Sequence, residues 1–201
     1  MEIIIATKNE GKVKEIKHFL KNLNIVFKSL NDFIEVPEIV EDGISFEENA
    51  IIKAKKIANF LNKPVIADDS GLEVDYLNGK PGIYSSRYSG KNATDKSNRQ
   101  KLLEELKELK DPLKRSARFV CSLVLWDPEK GLVFSTAGVC EGVIGFEEKG
   151  KNGFGYDSIF IPFGYKKTMA QLSKDEKNKI SHRGKALSNL FDFFMSGYLK
   201  D

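Results

Sequence analysis

The stretch EIIIATKNEGK at residues 2–12 decides the fold class of this chain. Residues 2–7 are mostly apolar and β-branched, which predicts a buried strand. Directly after the loop, Val13, Ile16 and Phe19 recur at helical spacing beneath a lysine-rich outer face. A strand, a tight loop and a helix in succession are typical of α/β proteins.

Outward from this stretch, strand and helix patterns alternate. Ser45 and Glu48 form a capping box, which predicts a helix whose buried stripe leaves Lys53 outside. Ser173 and Glu176 form a second capping box ahead of the closing helix. Further strands are expected at residues 25–30, 64–67, 72–77, 116–126, 132–144 and 158–162, with the long pair forming an antiparallel hairpin, and a helix at residues 94–109. The expected fold class is α/β or α+β, with a mixed sheet, in a single domain over residues 1–201.

The composition excludes several classes of protein. A chain of 201 residues that is 41% hydrophobic can bury one sizeable core. Its net charge of +3 is too small to indicate a nucleic-acid-binding domain. No segment approaches the about 18 uncharged residues of a membrane span, and the first residues do not resemble a signal peptide. We therefore expect a cytoplasmic protein without nucleic-acid or membrane partners.

The two cysteines, Cys121 and Cys140, carry no metal-site pattern. They have no CxxC spacing and no nearby histidine, so we interpret them as small apolar core residues rather than zinc ligands. The hairpin turn at residues 127–131 would place Cys121 opposite Ala137, so no disulfide is expected.

The loop TKNEGK at residues 7–12 is a candidate phosphate site. It lies between a strand and a helix N-terminus, where free backbone N–H groups favour an anion. Thr7 and Asn9 add neutral donors and Lys12 adds a cation. The glycine spacing is not that of a Walker A loop. The alternative is ordinary helix capping by Thr7 and Asn9 beside a solvated lysine.

Carboxylates follow the short strand at residues 64–67. Asp68 and Asp69 are expected in a turn at its end, and Glu38 and Glu41 lie in an earlier acidic loop. If these groups converge, they supply the hard oxygen ligands that Mg²⁺ prefers beside substrate phosphates. The alternative is a surface turn and a solvated acidic loop.

Two later segments suit a nucleotide base. Phe154 stands among glycines in GKNGFGYD at residues 150–157, where an aromatic face can stack on a purine, although a core phenylalanine beside a turn is the alternative. Lys177 and the run Ser181-His182-Arg183 offer donors for a base oxygen and a phosphate, or else form a hydrated helix start.

These segments together resemble the inosine triphosphate pyrophosphatase family, the house-cleaning hydrolases of ITP and XTP. The resemblance covers nearly the whole chain and rests on six motifs in order: ATKNEGK (6–12), FEENA (46–50), ADDSGL (67–72), PGIYS (81–85), GFGYD (153–157) and SHRG (181–184). It implies an elongated α/β fold whose long mixed sheet lies between two lobes, a nucleotide cleft between the lobes, and a homodimer. The implied activity is Mg²⁺-dependent hydrolysis of ITP, dITP and XTP to the nucleoside monophosphate and pyrophosphate.

The resemblance also assigns roles to residues. Asp69 would bind Mg²⁺ and accept a proton from the attacking water, with Glu41 as the second metal ligand and Glu38 as the alternative. Lys12 is the other expected catalytic residue. Residues 7–12 would hold the triphosphate, and residues 154–157 with Lys177, His182 and Arg183 would form the base and sugar pocket. The full set of expected substrate-binding residues is Thr7, Lys8, Asn9, Glu10, Gly11, Lys12, Lys53, Ser70, Phe154, Gly155, Tyr156, Asp157, Lys177, His182 and Arg183.

Two rival interpretations stay open at this point. One is a nucleic-acid-binding protein, because aromatic residues stand among lysines in residues 154–167. Against it, the loops that would face the ligand are acidic. The other is a triphosphatase for standard nucleotides or an alarmone, which would share the fold and differ in the base pocket.

Overall fold

The computed structural model describes residues 1–198 of the chain. Within that range the strands are β1 (Glu2–Ile5), β2 (Val26–Ser29), β3 (Val65–Val74), β4 (Ser116–Asp127), β5 (Gly131–Ile144) and β6 (Phe160–Pro162). The helices are α1 (Glu10–Phe19), α2 (Phe46–Leu61), α3 (Asp95–Glu105), α4 (Lys174–Ile180) and α5 (His182–Met195). The chain thus has the mixture of strands and helices that the sequence predicts.

The strands form one sheet in the order β2-β1-β3-β4-β5-β6. Strand β1 runs parallel to β2 and to β3, whereas β5 and β6 are antiparallel, so the sheet is mixed. Only three residues join the hydrogen-bonded neighbours β4 and β5, which makes them a hairpin. The α/β class, the mixed sheet and the long hairpin are therefore confirmed.

The chain divides into two compact units. Among the described residues, unit 1 contains residues 1–69, 121–138 and 183–198, and unit 2 contains residues 70–120 and 139–182. In unit 1 the side chains of β1 alternate between two cores: Ile3 and Ile5 pack with Leu187 of α5, and Ile4 packs with Ala54 of α2. This alternation is what a strand covered on both faces requires.

Unit 2 has its own apolar core. Leu72 and Val74 of β3 belong to it together with Leu102 of α3, Phe119 of β4 and Phe160 of β6. Helix α3 begins after Thr94, whose hydroxyl accepts from the main-chain N–H of Ser97 at 3.1 Å. This cap defines the start of the helix as the sequence predicts.

Strand β3 contains the main correction to the sequence prediction. Residues 68–71 were expected to form a turn, but β3 continues from Val65 to Val74 without a break. Aspartate is usually depleted in strands because burial of its charge is costly. In this strand lysine and arginine side chains neutralise Asp68 and Asp69, so the chain stays extended.

Some element boundaries also differ from the prediction. Residues 75–77 form a 3-10 turn rather than the end of a strand. Helix α3 ends at Glu105 instead of residue 109, and β6 begins at Phe160 instead of residue 158. Helix and strand ends are the least determined part of any sequence pattern, because the last turn can form several kinds of hydrogen bond.

Lys53 is the other correction. The sequence pattern placed it outside the buried stripe of α2, yet its side chain is buried beside Ala54 and Ile57. The reason is electrostatic: the ammonium group lies between Asp69 and Glu41.

Among residues 1–198, no helix is long and apolar enough to cross a membrane. Cys121 and Cys140 are both buried, and they are not joined in a disulfide.

Candidate active site

The loop after β1 lies beside the part of β3 that carries the aspartates. Ile5 pairs with Ile66, so β3 extends beyond the end of β1 and places residue 68 level with residue 7. Asn9 caps α1 by accepting from the main-chain N–H of Lys12 at 3.2 Å, and Thr7 accepts from that of Asn9 at 3.1 Å. Both side chains act as acceptors through an oxygen in these bonds, and neither the Thr7 hydroxyl hydrogen nor the Asn9 amide NH₂ donates in them.

Helix α1 then directs Lys12 onto Asp68. The Lys12 Nζ to Asp68 Oδ2 distance is 3.0 Å. Arg183, in the first turn of α5, contacts the same oxygen through Nη2 at 3.0 Å and Nε at 3.2 Å. Its Nη1 donates to Glu15 of α1 at 2.6 Å. Lys12 and Arg183 therefore meet on one carboxylate.

This network fixes the charge of Asp68. Burial alone would raise the pKa of its carboxyl, but Lys12 and Arg183 together hold that pKa well below its usual range. Burial opposes the charge of Arg183 in the same way, and Asp68 and Glu15 raise its pKa above the usual value. Asp68 and Arg183 both stay charged, so removing either would leave the other as an undercompensated buried ion.

Asp69 lies on the opposite face of β3. Successive strand side chains alternate, and Ala67, two residues earlier, packs in the α2 core whereas Ile66 packs in the α1 and α5 core. Asp69 Oδ1 lies 3.0 Å from Nζ of Lys53 on α2. Asp68 and Asp69 therefore contact different cations, and of the two it is Asp69 that shares a cation with Glu41.

Glu41 completes the second group. Its Oε1 lies 3.3 Å from the same Lys53 nitrogen, and Asn49 Nδ2 donates to Asp69 Oδ2 at 3.3 Å. The side chain of Asn49 also orders the acidic loop, because its Oδ1 accepts from the main-chain N–H of Gly43 at 2.9 Å. Helix α2 thus holds both Asp69 and the loop that carries Glu41.

Because Asp69 shares the Lys53 cation with Glu41, its negative charge is only partly compensated. Burial raises the pKa of its carboxyl, and the Lys53 charge only partly offsets this. Burial would lower the pKa of Lys53, but Asp69 and Glu41 raise it overall, so the ammonium stays charged. The result is a buried carboxylate with increased basicity, as a proton acceptor needs.

The same two carboxylates are a suitable donor set for a small divalent cation. Because Asp69 and Glu41 both contact one ammonium nitrogen, one small cation can reach an oxygen of each. Mg²⁺ is commonly held by one or two carboxylates together with water and substrate phosphates. Glu38, the alternative ligand, has an exposed side chain.

The glycine-rich segment of unit 2 forms a second group. Asp157 Oδ2 accepts from the main-chain N–H of Phe154 at 2.9 Å and from Lys177 Nζ at 2.6 Å. The Lys177 nitrogen lies 5.0 Å from the centre of the Phe154 ring. An aromatic face, a cation and a carboxylate therefore lie together, on one short loop and on α4.

The remaining expected residues of unit 2 are placed differently. His182 is buried, and its ring stacks on Phe119 with centroids 4.7 Å apart. Tyr156 is also buried and donates its hydroxyl to the carbonyl of Ser85 at 2.9 Å. Ser70 follows Asp69 in β3. Tyr156 is thus part of the apolar core of unit 2.

The last members of the phosphate loop lie at the surface of unit 1. Lys8 and Glu10 are exposed; the carbonyl of Lys8 accepts from Asn31, and Glu10 pairs with Lys14 at 3.3 Å. Gly11 lies in the first turn of α1, between the capping residue Asn9 and Lys12.

Sequence reasoning missed several residues that organise these groups. Asn49 and Glu15 were not singled out, although FEENA at residues 46–50 was one of the quoted motifs. Asp95 and Arg99, which contact Gly155, were also missed. No local pattern identifies such contacts, because they join residues 20 to 168 positions apart.

Comparison with known proteins identifies the family. Residues 3–193 match the sequence model of the Ham1 family. A Bacillus cereus protein named dITP/XTP pyrophosphatase is 50% identical over 192 residues, covering 94% of this chain and 92% of that protein. A Desulfotalea psychrophila protein of the same name is 51% identical over 188 residues, covering 94% and 82%. The solved structure of a HAM1 protein from Coxiella burnetii superposes with a TM-score of 0.87 at 44% identity, covering 98% of this chain and 99% of that one. This chain belongs to the Ham1 family.

Proposed function

We propose that this protein hydrolyses non-standard purine nucleoside triphosphates, namely ITP, dITP and XTP, to the nucleoside monophosphate and pyrophosphate. Removing these nucleotides would keep deaminated purines out of DNA and RNA. The names of the Bacillus cereus and Desulfotalea psychrophila relatives support this assignment. The observation that carries it is the pairing of Asp69 and Glu41 through Lys53, next to the Lys12 loop in unit 1.

The triphosphate is assigned to the loop at residues 7–12. Its helix N-terminus offers main-chain N–H groups, and Lys12 offers a cation that in this structure is paired with Asp68. A phosphate oxygen would become a further partner of Lys12. Lys53 is assigned to the phosphates because it is a second cation in unit 1, bound to Asp69, the chain neighbour of the Asp68 that Lys12 contacts.

Asp69 is assigned as the proton acceptor for the attacking water. Burial raises its basicity, and the bond from Asn49 to Oδ2 orients the carboxylate. Water attack at the α phosphorus forms the new P–O bond, and the bond to the bridging oxygen breaks as pyrophosphate leaves. The proton lost by the water goes to Asp69.

We assign Asp69 and Glu41 as ligands of a Mg²⁺ ion. Such an ion, when bound, neutralises phosphate charge and favours displacement at phosphorus.

Asp68 is assigned a different role. On the other face of β3, it orients Lys12 and is itself held by Arg183.

The purine is assigned to Phe154, Gly155, Tyr156 and Asp157 with Lys177. The Phe154 ring supplies a stacking face, and Lys177 supplies a donor beside it. His182 is assigned to the wall of this pocket, through its stacking on Phe119. Arg183 was expected to contact the base, but its guanidinium is engaged by Asp68 and Glu15, so we assign it to the phosphate side.

Labelled water and a nucleotide panel test the proposal. Hydrolysis of ITP in ¹⁸O-water should place the label in the monophosphate alone, with pyrophosphate as the other product. Label in free orthophosphate, with a nucleoside diphosphate formed, would overturn the assigned bond. In a nucleotide panel assayed with Mg²⁺, the protein should hydrolyse ITP, dITP and XTP faster than ATP and GTP. Equal rates on standard nucleotides would favour the rival triphosphatase.

The homodimer and the cytoplasmic location remain predictions from the sequence. Light scattering coupled to size-exclusion chromatography tests the first. A mass of one chain, 22.6 kDa, would contradict it.

A further inference from the structure

Two side chains of α3 hold the main chain of Gly155 from both sides. Asp95 Oδ2 accepts from the Gly155 N–H at 2.7 Å, and Arg99 Nη1 donates to the Gly155 carbonyl at 2.8 Å. Asp95 and Arg99 are four residues apart, so they share one face of the helix. Both bonds involve a charged partner and belong to the stronger class of hydrogen bonds.

Arg99 also fixes the beginning and end of the loop. Its Nε donates to Glu148 Oε2 at 2.8 Å, and the hydroxyl of Ser158 donates to the same oxygen at 3.1 Å. The main-chain N–H of Lys149 donates to the carbonyl of Ser158 at 2.8 Å. The Arg99 guanidinium thereby links Gly155, in the middle of the loop, to Glu148, near the point where Lys149 and Ser158 are hydrogen-bonded to each other.

Gly155 needs this support because its backbone is unconstrained by a side chain. Its φ is +59°, in the left-handed region that glycine adopts easily but does not prefer strongly over other conformations. Phe154 immediately precedes it, and Phe154 N–H is bound to Asp157. Asp95 binds the peptide group that joins Phe154 to Gly155, and Arg99 binds the next one, so the direction of the Phe154 ring depends on both bonds.

We propose that Asp95 and Arg99 are positioning residues that keep the Phe154 ring oriented for the purine. The proposal rests on the proposed function, in which Phe154 stacks on the base. Orienting the ring before binding removes an ordering cost that the nucleotide would otherwise meet. Because stacking acts equally in the bound substrate and in the transition state, its loss raises KM and leaves kcat unchanged.

The helix itself does not depend on Asp95. Thr94 provides the N-cap, in a capping box with Ser97, and Leu102 anchors α3 in the core of unit 2. Replacing Asp95 therefore removes the bond to Gly155 and leaves the start of α3 capped. Asp111 offers a matched control, because its carboxylate accepts from the main-chain N–H of Leu113 at 3.0 Å in an exposed turn outside the loop.

Steady-state kinetics on ITP test the proposal with the full chain and Mg²⁺. Asp95→Ala and Arg99→Ala should each raise KM about tenfold, as expected for the loss of a charge-assisted hydrogen bond, with kcat within about twofold of wild type. Asp95→Asn should restore most of the KM, because its amide oxygen still accepts from Gly155. Arg99→Lys should not, since one ammonium lacks the fork that reaches Gly155 and Glu148 together. Asp111→Ala should match wild type.

A double-mutant cycle with Phe154→Ala separates the two levels of the argument. If Asp95 acts through the ring, Asp95→Ala adds no further rise in KM to Phe154→Ala. A normal KM in Asp95→Ala with a raised KM in Phe154→Ala overturns the positioning role and leaves the base site standing. A normal KM in Phe154→Ala overturns both. Independent, multiplying effects of the two substitutions also overturn the positioning role, as would a fall in kcat without a change in KM.

Discussion

The ammonium nitrogen of Lys53 lies 3.0 Å from Oδ1 of Asp69. The same nitrogen is 3.3 Å from Glu41, so one buried cation is shared by the two carboxylates that we assign to Mg²⁺. A divalent ion that binds them without a nucleotide has to compete with Lys53. A bound triphosphate would relieve this competition by offering phosphate oxygens to the lysine.

Lys53→Met should therefore strengthen the binding of Mg²⁺ alone, by about tenfold, because two carboxylates lose their internal counter-ion. Titration calorimetry with MgCl₂ at pH 8, without nucleotide, measures this. Lys56→Met is the matched control, since Lys56 lies exposed on the same helix and should leave the affinity unchanged. A weaker affinity in Lys53→Met would contradict the assigned ligand pair.

Asp69→Asn should lower kcat for ITP by at least about a hundredfold, the lower range for removing an acid–base group. The amide keeps the size of the side chain but loses the proton acceptor and an anionic ligand. Asp42→Asn, in the exposed part of the acidic loop, should retain full activity. Thermal unfolding should show that both variants fold. Near wild-type turnover in Asp69→Asn would move the catalytic role to Asp68 or Glu41.

Asp68→Asn should destabilise the fold in a pH-dependent way. Lys12 and Arg183 hold the folded-state pKa of Asp68 below its unfolded value, so the stabilisation is present above the unfolded pKa of about 3.9 and declines as pH falls below it. At pH 7 we expect a loss of about 3 kcal/mol in the free energy of unfolding, because the buried Arg183 and the half-buried Lys12 lose their shared partner.

Urea unfolding at pH 7 and at pH values below about 4 measures this effect. The difference between wild type and Asp68→Asn should shrink by up to about 1.4 kcal/mol per pH unit below the unfolded pKa. A difference that stays constant over this range would show that Asp68 contributes through packing and not through its charge.

The long-range parts of the site explain why the sequence predicted only some of it. The strand, loop and helix at residues 2–12 follow from local periodicity and capping, and the structure confirms them. The extension of β3 through Asp68 and Asp69 does not follow, because aspartate and glycine together indicate a turn. This extension depends on cations of α1, α2 and α5 that contact Asp68 and Asp69, and the tertiary fold places those cations beside β3.

Burial of charged side chains is the second source of error. The sequence pattern placed Lys53 outside the buried stripe of its helix, and it gave Arg183 as a donor for the base or a phosphate, or else as part of a hydrated helix start. In the structure both are buried because each lies against two carboxylates. Helical periodicity cannot identify such partners, since it assigns a lysine to the surface by default.

Neither cysteine should react with a thiol reagent in the folded protein. Burial, and next the charge of Asp68, raise the pKa of the Cys121 thiol to about 12, and Cys140 is buried as well. With Ellman's reagent at pH 8, the native protein should release almost no colour, and the denatured protein should release 2 equivalents per chain. Rapid labelling of one thiol in the native state would contradict the burial of that cysteine.

Discrimination between bases should depend on Lys177. Hypoxanthine and xanthine present an oxygen acceptor at C6, whereas adenine presents an amino donor there. The Lys177 ammonium, held by Asp157, is a donor 5.0 Å from the centre of the Phe154 ring. With ATP it would meet another donor, and a site built on such hydrogen bonds can reject the wrong partner by about 10⁴-fold. Guanine shares the C6 oxygen, so its rejection should be weaker.

Lys177→Met should therefore lower the ratio of kcat/KM for ITP over ATP by at least about tenfold, mainly through loss of activity on ITP. Arg183→Lys is the comparison variant, because Arg183 contacts Asp68 and Glu15 in unit 1. It should lower kcat/KM for both nucleotides and leave their ratio unchanged. An unchanged ratio in Lys177→Met would show that other groups recognise the base, with Asp157 or the main-chain N–H groups around Phe154 as the next candidates. A changed ratio in Arg183→Lys would instead restore the direct contact with the base that the sequence resemblance implied.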